Sequence, residues 1–334
     1  MGQLWVVVLA AGEGKRMHSS LPKVLHPLCG RPMISYILGS AVELTDQIMV
    51  VVGHGASQVQ DVLGDRWRYV LQEQQLGTGH ALTQALKSLP SEGTLLVLCG
   101  DTPLLESEHL RQLLARRDHN AAVIATTILP DPDGYGRIVR GQNDLIEKIV
   151  EDRDATEEEK KIKEINTGTY CFNLKLLKHY LPLLTADNVQ KEYYLTDIIA
   201  LMGRDGHQTK TYLVDDYRVG LGINNRAQLS EAARMMRERI NRSLMLSGVT
   251  MIDPGSVYID YGQKVGSETI ILPNCLIENG TVIGQECRIG PNVHLSNAVI
   301  KDGAVVQNSV ITGSVIERDK KVGPFCHLRS EQAD

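Results

Sequence analysis

Near its start the chain carries Leu9-Ala10-Ala11-Gly12-Glu13-Gly14-Lys15-Arg16-Met17, which mixes small residues, glycines and basic side chains. Glycines let a backbone approach a polyphosphate and aim N–H groups at it, and a guanidinium such as that of Arg16 offers a fork for phosphate oxygens. Leu21-Pro22-Lys23 then sets a second cation on a rigid turn. The chemistry suggested is phosphate binding. The spacing is not that of a P-loop, since no GK[ST] follows, nor is it GxGxxG. Taken alone, a glycine turn with two surface cations is the better reading.

Further stretches add weight to the phosphate reading. Gln72-Glu73-Gln74-Gln75-Leu76-Gly77-Thr78-Gly79 holds carboxamides that can read a base edge by donor and acceptor pairs, although a polar turn capped at Thr78 fits it too. Cys99-Gly100-Asp101 ends an apolar run with one acid, a common place for a Mg²⁺ ligand and equally for a turn aspartate. Gly134-Tyr135-Gly136-Arg137-Ile138 reads as a tight turn entering a strand, and Glu147 to Glu151 as a strand ending in acid. The charged run Glu157 to Glu164 reads as a solvated helix or loop. Asn166-Thr167-Gly168 is predicted to open a strand over Thr169 to Phe172. Tyr193, Tyr194, Thr196 and Asp197 open a helix that runs to Met202, where Asp197 suits the helix dipole.

The elements that must position these residues alternate. Apolar runs at Leu4 to Leu9, Ile48 to Val52, Arg68 to Leu71, Thr94 to Leu98 and Ala121 to Ile128 read as strands. Helical patterns fall at Met33 to Glu43, Ala56 to Leu63, Gly79 to Leu89 and Ser107 to Arg117. Strands alternating with helices predict an α/β fold with a mostly parallel, doubly wound, Rossmann-like sheet, whose ligands bind at the carboxyl ends of the strands.

Composition bounds the rest. The 334 residues suffice for two domains, and 43% hydrophobic with 22% charged residues describes a soluble globular protein. A net charge of −5 and only 4% aromatic residues argue against nucleic acid as a partner. The opening apolar run is too short to span a membrane and lacks a preceding basic segment, so no membrane association and no signal peptide are expected. The six cysteines lie far apart without a CxxC pair, which reads as reduced thiols in a cytoplasmic protein.

The tail changes period. Leu229, Ala232, Ala233, Met236, Ile240 and Leu244 recur at helical spacing and predict one amphipathic helix over about residues 226–246, with Met235, Met236 and Met245 read as packing. Then Ile259, Val265, Ile271, Ile277, Ile283, Ile289 and Leu295 fall six apart, and Ile300, Val306, Ile311, Ile316, Val322 and Leu328 follow at five or six. Slender residues such as Thr269, Cys275, Thr281 and Cys287 sit two positions before their anchors. This hexapeptide period is that of a parallel β-helix, of about four coils.

Taken in order, the LAAGxGxRM loop, LPKVLH (Leu21 to His26), QLGTGHA (Gln75 to Ala81), GDTPLL (Gly100 to Leu105), EINTG (Glu164 to Gly168), YYLTDII (Tyr193 to Ile199) and the hexapeptide repeats resemble the bacterial bifunctional N-acetylglucosamine-1-phosphate uridylyltransferase and glucosamine-1-phosphate acetyltransferase family. The resemblance covers nearly the whole chain. It implies a uridylyltransferase domain over 1–225, a linker helix over 226–248 and part of a left-handed β-helix over 249–334. It implies UTP and N-acetylglucosamine-1-phosphate as substrates, Mg²⁺ as cofactor and a homotrimer joined through the β-helix. Leu9, Ala10, Ala11, Gly12, Gln72, Gly77, Thr78, Cys99 and Gly100 would hold the nucleotide, and Arg16 and Lys23 its phosphates as the catalytic cations. Asp101 and Asn224 would bind the metal, and Gly136, Glu151, Asn166, Tyr194 and Thr196 the sugar.

In such chemistry a sugar-phosphate oxygen attacks the α-phosphorus in line and pyrophosphate leaves, so neither a general base nor a nucleophilic Cys99 is required. The family's acetyl-transfer histidine lies beyond the last coil of this sequence, so no acetyltransferase activity is expected, and His294 and His327 are read as surface residues of the coil. Another sugar-1-phosphate nucleotidylyltransferase, using glucose-1-phosphate or dTTP, and a non-catalytic nucleotide-sugar-binding scaffold are the alternatives.

Overall fold

The computed structural model describes residues 3–141 and 144–330. It separates into two compact units, Met1–His26 with Pro32–Arg226, and Pro27–Arg31 with Ala227–Asp334.

In chain order the elements are β1 (Leu4–Ala10), the short hairpin strands β2 (Pro27–Leu28) and β3 (Arg31–Pro32), α1 (Ile34–Val42), β4 (Ile48–Val52), α2 (Ala56–Leu63), β5 (Arg68–Leu71), α3 (Thr78–Leu86), β6 (Thr94–Cys99), α4 (Ser107–Ala115), β7 (Ala122–Ile128), β8 (Arg137–Arg140), β9 (Ile146–Val150), β10 (Glu164–Asn173), α5 (Leu174–Tyr180), α6 (Asp197–Arg204) and β11 (Thr209–Leu213). The main sheet of the first unit has the order β11-β7-β10-β6-β1-β4-β5. Its central strands are buried on both faces, which is why β4 reads as an unbroken run of Ile, Met and Val. Val7, Val51, Leu82, Leu95, Phe172, Ile198 and Met202 share one core cluster, so α3 and α6 cover the same face. The strand order reverses at β1, flanked by β4 and β6, and ligands of open α/β sheets bind outside the strand ends at such a point.

Most pairings of the main sheet are parallel, along β6-β1-β4-β5 and between β11 and β7, as the alternation predicts; β10 runs antiparallel to both β6 and β7, and β8 and β9 pair antiparallel beside it. Residues 151–163, between β9 and β10, carry a short 3₁₀ turn (Glu159–Lys161) and no α-helix, so the chain does not return there by a helical crossover. One expectation needs correction: Asn166-Thr167-Gly168 does not open a strand. Pairing already begins at Glu164 and includes Asn166, and the register against β7 slips between Asn166 and Tyr170, so Thr167, Gly168 and Thr169 form a bulge inside β10. Bulges re-aim side chains beside functional sites.

The second unit begins with α7 (Arg226–Leu246). Ala232, Met235 and Met236 are buried as packing residues, whereas Met245 is exposed. The helix also buries Asn241, whose Nδ2 donates to the carbonyls of Pro254 and Val257 at 2.9 and 3.0 Å, a polar anchor that the apolar period did not signal. Beyond it, short strands stack into three parallel sheets, the geometry of a β-helix. Val257 pairs with Cys275, and Cys275 with Val293; later coils shorten, so that Leu295 faces Ile311. The anchors Ile271, Ile277, Ile289, Leu295, Val306 and Ile311 are wholly buried, and Thr269, Cys275, Thr281 and Cys287 fill the slender inward positions. Burial fades at the end of the stack, where Leu328 is 37% exposed. One corner is held by an asparagine ladder. Asn274 Nδ2 donates to Asn292 Oδ1 (3.1 Å) and Asn292 Nδ2 to Asn308 Oδ1 (3.0 Å), all three residues in the left-handed conformation that asparagine tolerates.

Candidate functional site

In the first unit a cavity of about 820 Å³ opens at the carboxyl ends of β1 and β6. Leu9 to Gly12 line it, as do Arg16, Lys23, Gln72, Gly77, Thr78, Cys99, Asp101, Glu151 and Asn224, which reach it from loops spread over more than two hundred residues of chain. The opening loop turns at Gly14, whose φ of 68° is left-handed; a Cβ there would lie 2.6 Å from Lys23 Cβ. The glycine thus lets Lys23 lie against the loop. A Cβ on Gly12 would meet nothing within 4 Å, so the backbone at that point borders open space.

Lys23 is the hub of the cavity floor. Its Nζ forms an ion pair with the Asp101 carboxylate and donates to Asn224 Oδ1 at 2.9 Å. Two hard oxygens from distant loops therefore converge on one positive charge. Asp101 does not cap a helix: its backbone carbonyl accepts from Ile223 N at 2.9 Å, which draws the Gly222–Asn224 loop against it. Arg16 is exposed and makes no hydrogen bond or ion pair among the described residues, while Lys15 pairs with Glu13 at 3.1 Å. Cys99 donates to the Gly168 carbonyl (3.4 Å), and burial, reinforced by the Asp101 charge, pushes its thiol up to about 12. It stays protonated and is no nucleophile.

The amide-rich loop is buttressed from behind. Gly77 has φ 103°, and a Cβ there would stand 2.7 Å from the Tyr193 carbonyl. Tyr193 N donates to Leu76 O and Gly79 N to Tyr193 O, each at 2.8 Å, which splices the Tyr193–Thr196 turn to the start of α3. Thr78 is not the cap of α3; its Oγ1 accepts from Leu195 N at 3.1 Å and strengthens the same splice.

Glu151 sits at the far side of the cavity. Burial raises its carboxyl, against the hydrogen bond donated by Thr196 Oγ1 at 2.9 Å. The remaining sugar candidates do not line the large cavity. Thr196 is buried behind Glu151, and Gly136 bonds through its carbonyl to Asn166 N (2.8 Å). Asn166 donates to Tyr170 Oη at 2.6 Å. Tyr194 donates to Asp154 (3.1 Å) and borders a second cavity of about 440 Å³, which Glu151 also lines. Gly100 lies below the floor, packed against Val24 and Ile34.

Gln75, from the amide-rich stretch, also lines the cavity, and several lining residues escaped sequence reasoning, among them Asp152, Arg153, Gln190 and Glu192. The one available signal was position, since Asp152 and Arg153 directly follow strand β9. Arg137 was read only as part of a turn. It is fully buried, donates to the Tyr135 carbonyl and pairs with Asp152 at 3.0 Å, so it ties the Gly134–Gly136 turn to the loop that presents Glu151.

Comparison with known proteins follows the same division. Residues 6–164 match the MobA-like NTP transferase domain, and residues 238–332 match the GMPPB C-terminal domain. The chain is 44% identical over 334 residues to the bifunctional protein GlmU of Caldanaerobacter subterraneus subsp. tengcongensis, covering 99% of this chain and 73% of that one. The bifunctional protein GlmU of Listeria welshimeri is likewise 44% identical, over 335 residues and with the same coverage. Among solved structures, a putative glucose-1-phosphate thymidylyltransferase from Bacillus anthracis, in complex with a sucrose, superposes with a TM-score of 0.57 at 20% identity, over 71% of this chain and 96% of that one. That likeness shows a shared fold.

Proposed function

Since the chain belongs to the family of the bifunctional GlmU proteins and is a sugar-1-phosphate nucleotidyltransferase, we propose that it joins UTP to N-acetylglucosamine-1-phosphate, releasing pyrophosphate and UDP-N-acetylglucosamine. The observation that carries this reading is the convergence of Lys23, Asp101 and Asn224 beneath the Leu9–Arg16 loop. Leu9 to Gly12, Gln72, Gly77, Thr78 and Cys99 hold the nucleoside, with Gly100 packed against Val24 and Ile34 beneath them, and Glu151 receives the sugar. Gly136, Asn166, Tyr194 and Thr196 support the sugar side from behind Glu151, a placement that favours a positioning role over direct contact.

The acceptor is a phosphate oxygen, already an anion, so the site needs no base. The obstacle is repulsion between two anionic substrates, and the cavity itself carries five acids, Glu13, Asp101, Glu151, Asp152 and Glu192, against four cations, Lys15, Arg16, Lys23 and Arg153. Such a lining does not offset a triphosphate and a sugar phosphate by itself. Asp101 and Asn224 offer a carboxylate and a carboxamide oxygen to one point, which fits Mg²⁺, an ion that takes one or two carboxylates and fills its other positions with waters and substrate phosphates. Bound there, the ion would supply neutralisation of phosphate charge. Lys23, held at the same point, is placed to follow the phosphates, and Arg16 is free to clamp them from the mouth of the loop.

For the coils we propose assembly into a homotrimer. Val282, Val299 and Val315 stand in register on one sheet and all face outward, exposed, an apolar stripe suited to self-association. The six free thiols suit a reducing compartment, and we assign the protein to the cytoplasm. Among the described residues no helix is long and apolar enough to cross a membrane.

The test is a pyrophosphate-release assay crossing UTP, dTTP, CTP and ATP with N-acetylglucosamine-1-phosphate and glucose-1-phosphate, with and without EDTA. Release is expected with UTP and N-acetylglucosamine-1-phosphate and is expected to stop with EDTA. Equal rates with both sugars would overturn the substrate and leave the reaction standing.

A further inference from the structure

Behind the amide-rich loop a chain of hydrogen bonds runs back from a cavity residue. Gln72 is 3% exposed and is one of the residues that line the cavity. Its Nε2 donates to the Gly77 carbonyl at 3.2 Å and stands 3.0 Å from Nδ1 of His80, one turn into α3. On the other side of the imidazole, His80 Nε2 is 3.0 Å from the carboxamide of Gln84. His80 itself is not among the residues that line the cavity.

The donor and acceptor roles follow from one fixed point. A backbone carbonyl only accepts, so the end of the Gln72 amide that faces Gly77 O must be its NH₂. The second hydrogen of that NH₂ then points at His80 Nδ1, which must be the unprotonated nitrogen. The imidazole proton accordingly sits on Nε2. The Gly77 carbonyl thus settles the orientation of the Gln72 carboxamide, which heavy-atom positions alone leave open. Its consequence reaches the cavity: the oxygen of Gln72, Oε1, is the end of the amide that no bond among the described residues takes up. The site presents a fixed acceptor.

We propose that His80 is a positioning residue for base selection, holding Gln72 so that Oε1 accepts the ring N3–H of uracil and turns cytosine away. This rests on the reading of the substrate as UTP. Uracil has a single donor on its pairing edge, N3–H, between two carbonyl acceptors. Cytosine has an unprotonated N3 at the same place, which would face Oε1 lone pair to lone pair. Were the amide free to turn over, its NH₂ would meet cytosine N3 well and uracil N3–H badly. A site built to bond one group rejects the analogue lacking it because a buried polar atom is left unpaired.

The experiment compares kcat/KM for UTP and CTP in the wild type, His80→Leu and His80→Asn, with KM for the sugar phosphate and the melting temperature measured alongside. Calorimetric binding of UDP and CDP gives a second readout. Leucine removes the acceptor opposite Gln72, and asparagine restores one near the Nδ1 position. The ratio of UTP to CTP is expected to fall about tenfold in His80→Leu, the worth of one hydrogen bond. It is expected to return in His80→Asn, with the sugar-phosphate KM unchanged in both. Should leucine not be accommodated, His80→Ala takes its place. An unchanged ratio in a folded His80→Leu or His80→Ala enzyme, or equal loss with both nucleotides, overturns the inference and leaves the UTP reading intact. A wild type that prefers CTP, or turns over no UTP, overturns both.

Discussion

The coils and the cleft are built on opposite economies of information. In the coils one rule repeats: an aliphatic anchor, a slender partner, a turn, and each coil rests on the one before. Every inward residue from Ile259 to Ile316 is there to be buried, and its neighbours along the chain supply the pattern. In the cleft nothing repeats. Lys23, Asp101 and Asn224 meet from three loops, Glu151 from a fourth, and each is held by bonds particular to it. A damaged anchor should therefore cost stability and leave the chemistry, whereas a damaged cleft residue should cost chemistry and leave the fold.

The largest effect expected is that of Asp101→Ala. Losing the carboxylate that pairs with Lys23 should lower pyrophosphate release by about a thousandfold or more, with a melting temperature close to that of the parent. Turnover that persists in this variant would reduce Asp101 to a turn residue and blur the division between the two regions. The reciprocal test is Ile289→Ala, in a wholly buried coil position. It should destabilise the second unit by about 2–5 kcal/mol, read from urea unfolding, while the folded fraction keeps its kcat.

A subtler test lies inside the cleft, where function is expected to oppose stability. Burial raises the carboxyl of Glu151 in the folded state, so this group favours folding while protonated, and that contribution is lost as pH rises through its elevated value. Glu151→Gln does not titrate. The variant should therefore gain in melting temperature over the parent as pH rises from about 4.5 to 8, while its KM for the sugar phosphate increases. A gap that shrinks with rising pH would contradict the sign. The smallest effect expected is on assembly: Val299→Lys places a charge on the exposed valine stripe and should shift sedimentation toward monomer without changing kcat. A monomeric parent would remove that proposal.

How much was legible in the sequence follows the same line. The coils were readable because period is a one-dimensional property, and ten of the thirteen anchors named from spacing are buried, with Val265 and Val322 half-buried and Leu328 exposed. The α/β alternation was readable for the same reason, and β4, α2 and β5 fall on the residues that their patterns marked. The direction of β10 was not, because it depends on what bridges two strands and not on either strand. The bulge at Thr167-Gly168-Thr169 exists only against β7, so no local pattern announces it. In the cleft, the glycine loop and Lys23 had a signal of their own. Asn224 and Glu151 did not; each is an ordinary polar residue until the chain brings it to the others, and resemblance alone pointed to them. Arg137, buried without an apolar pattern to explain it, and His80, one hydrogen bond behind a cavity residue, belong to the tier of support that sequence spacing conceals.

The central claim concerns which bond is broken. Phosphorus-31 NMR of the enzyme with UTP, N-acetylglucosamine-1-phosphate and Mg²⁺ follows both substrates at once. In-line attack at the α-phosphorus predicts equal amounts of inorganic pyrophosphate and a nucleoside-diphosphate sugar, growing together as UTP and sugar phosphate decline. Orthophosphate with UDP, or no change in any resonance, would contradict it.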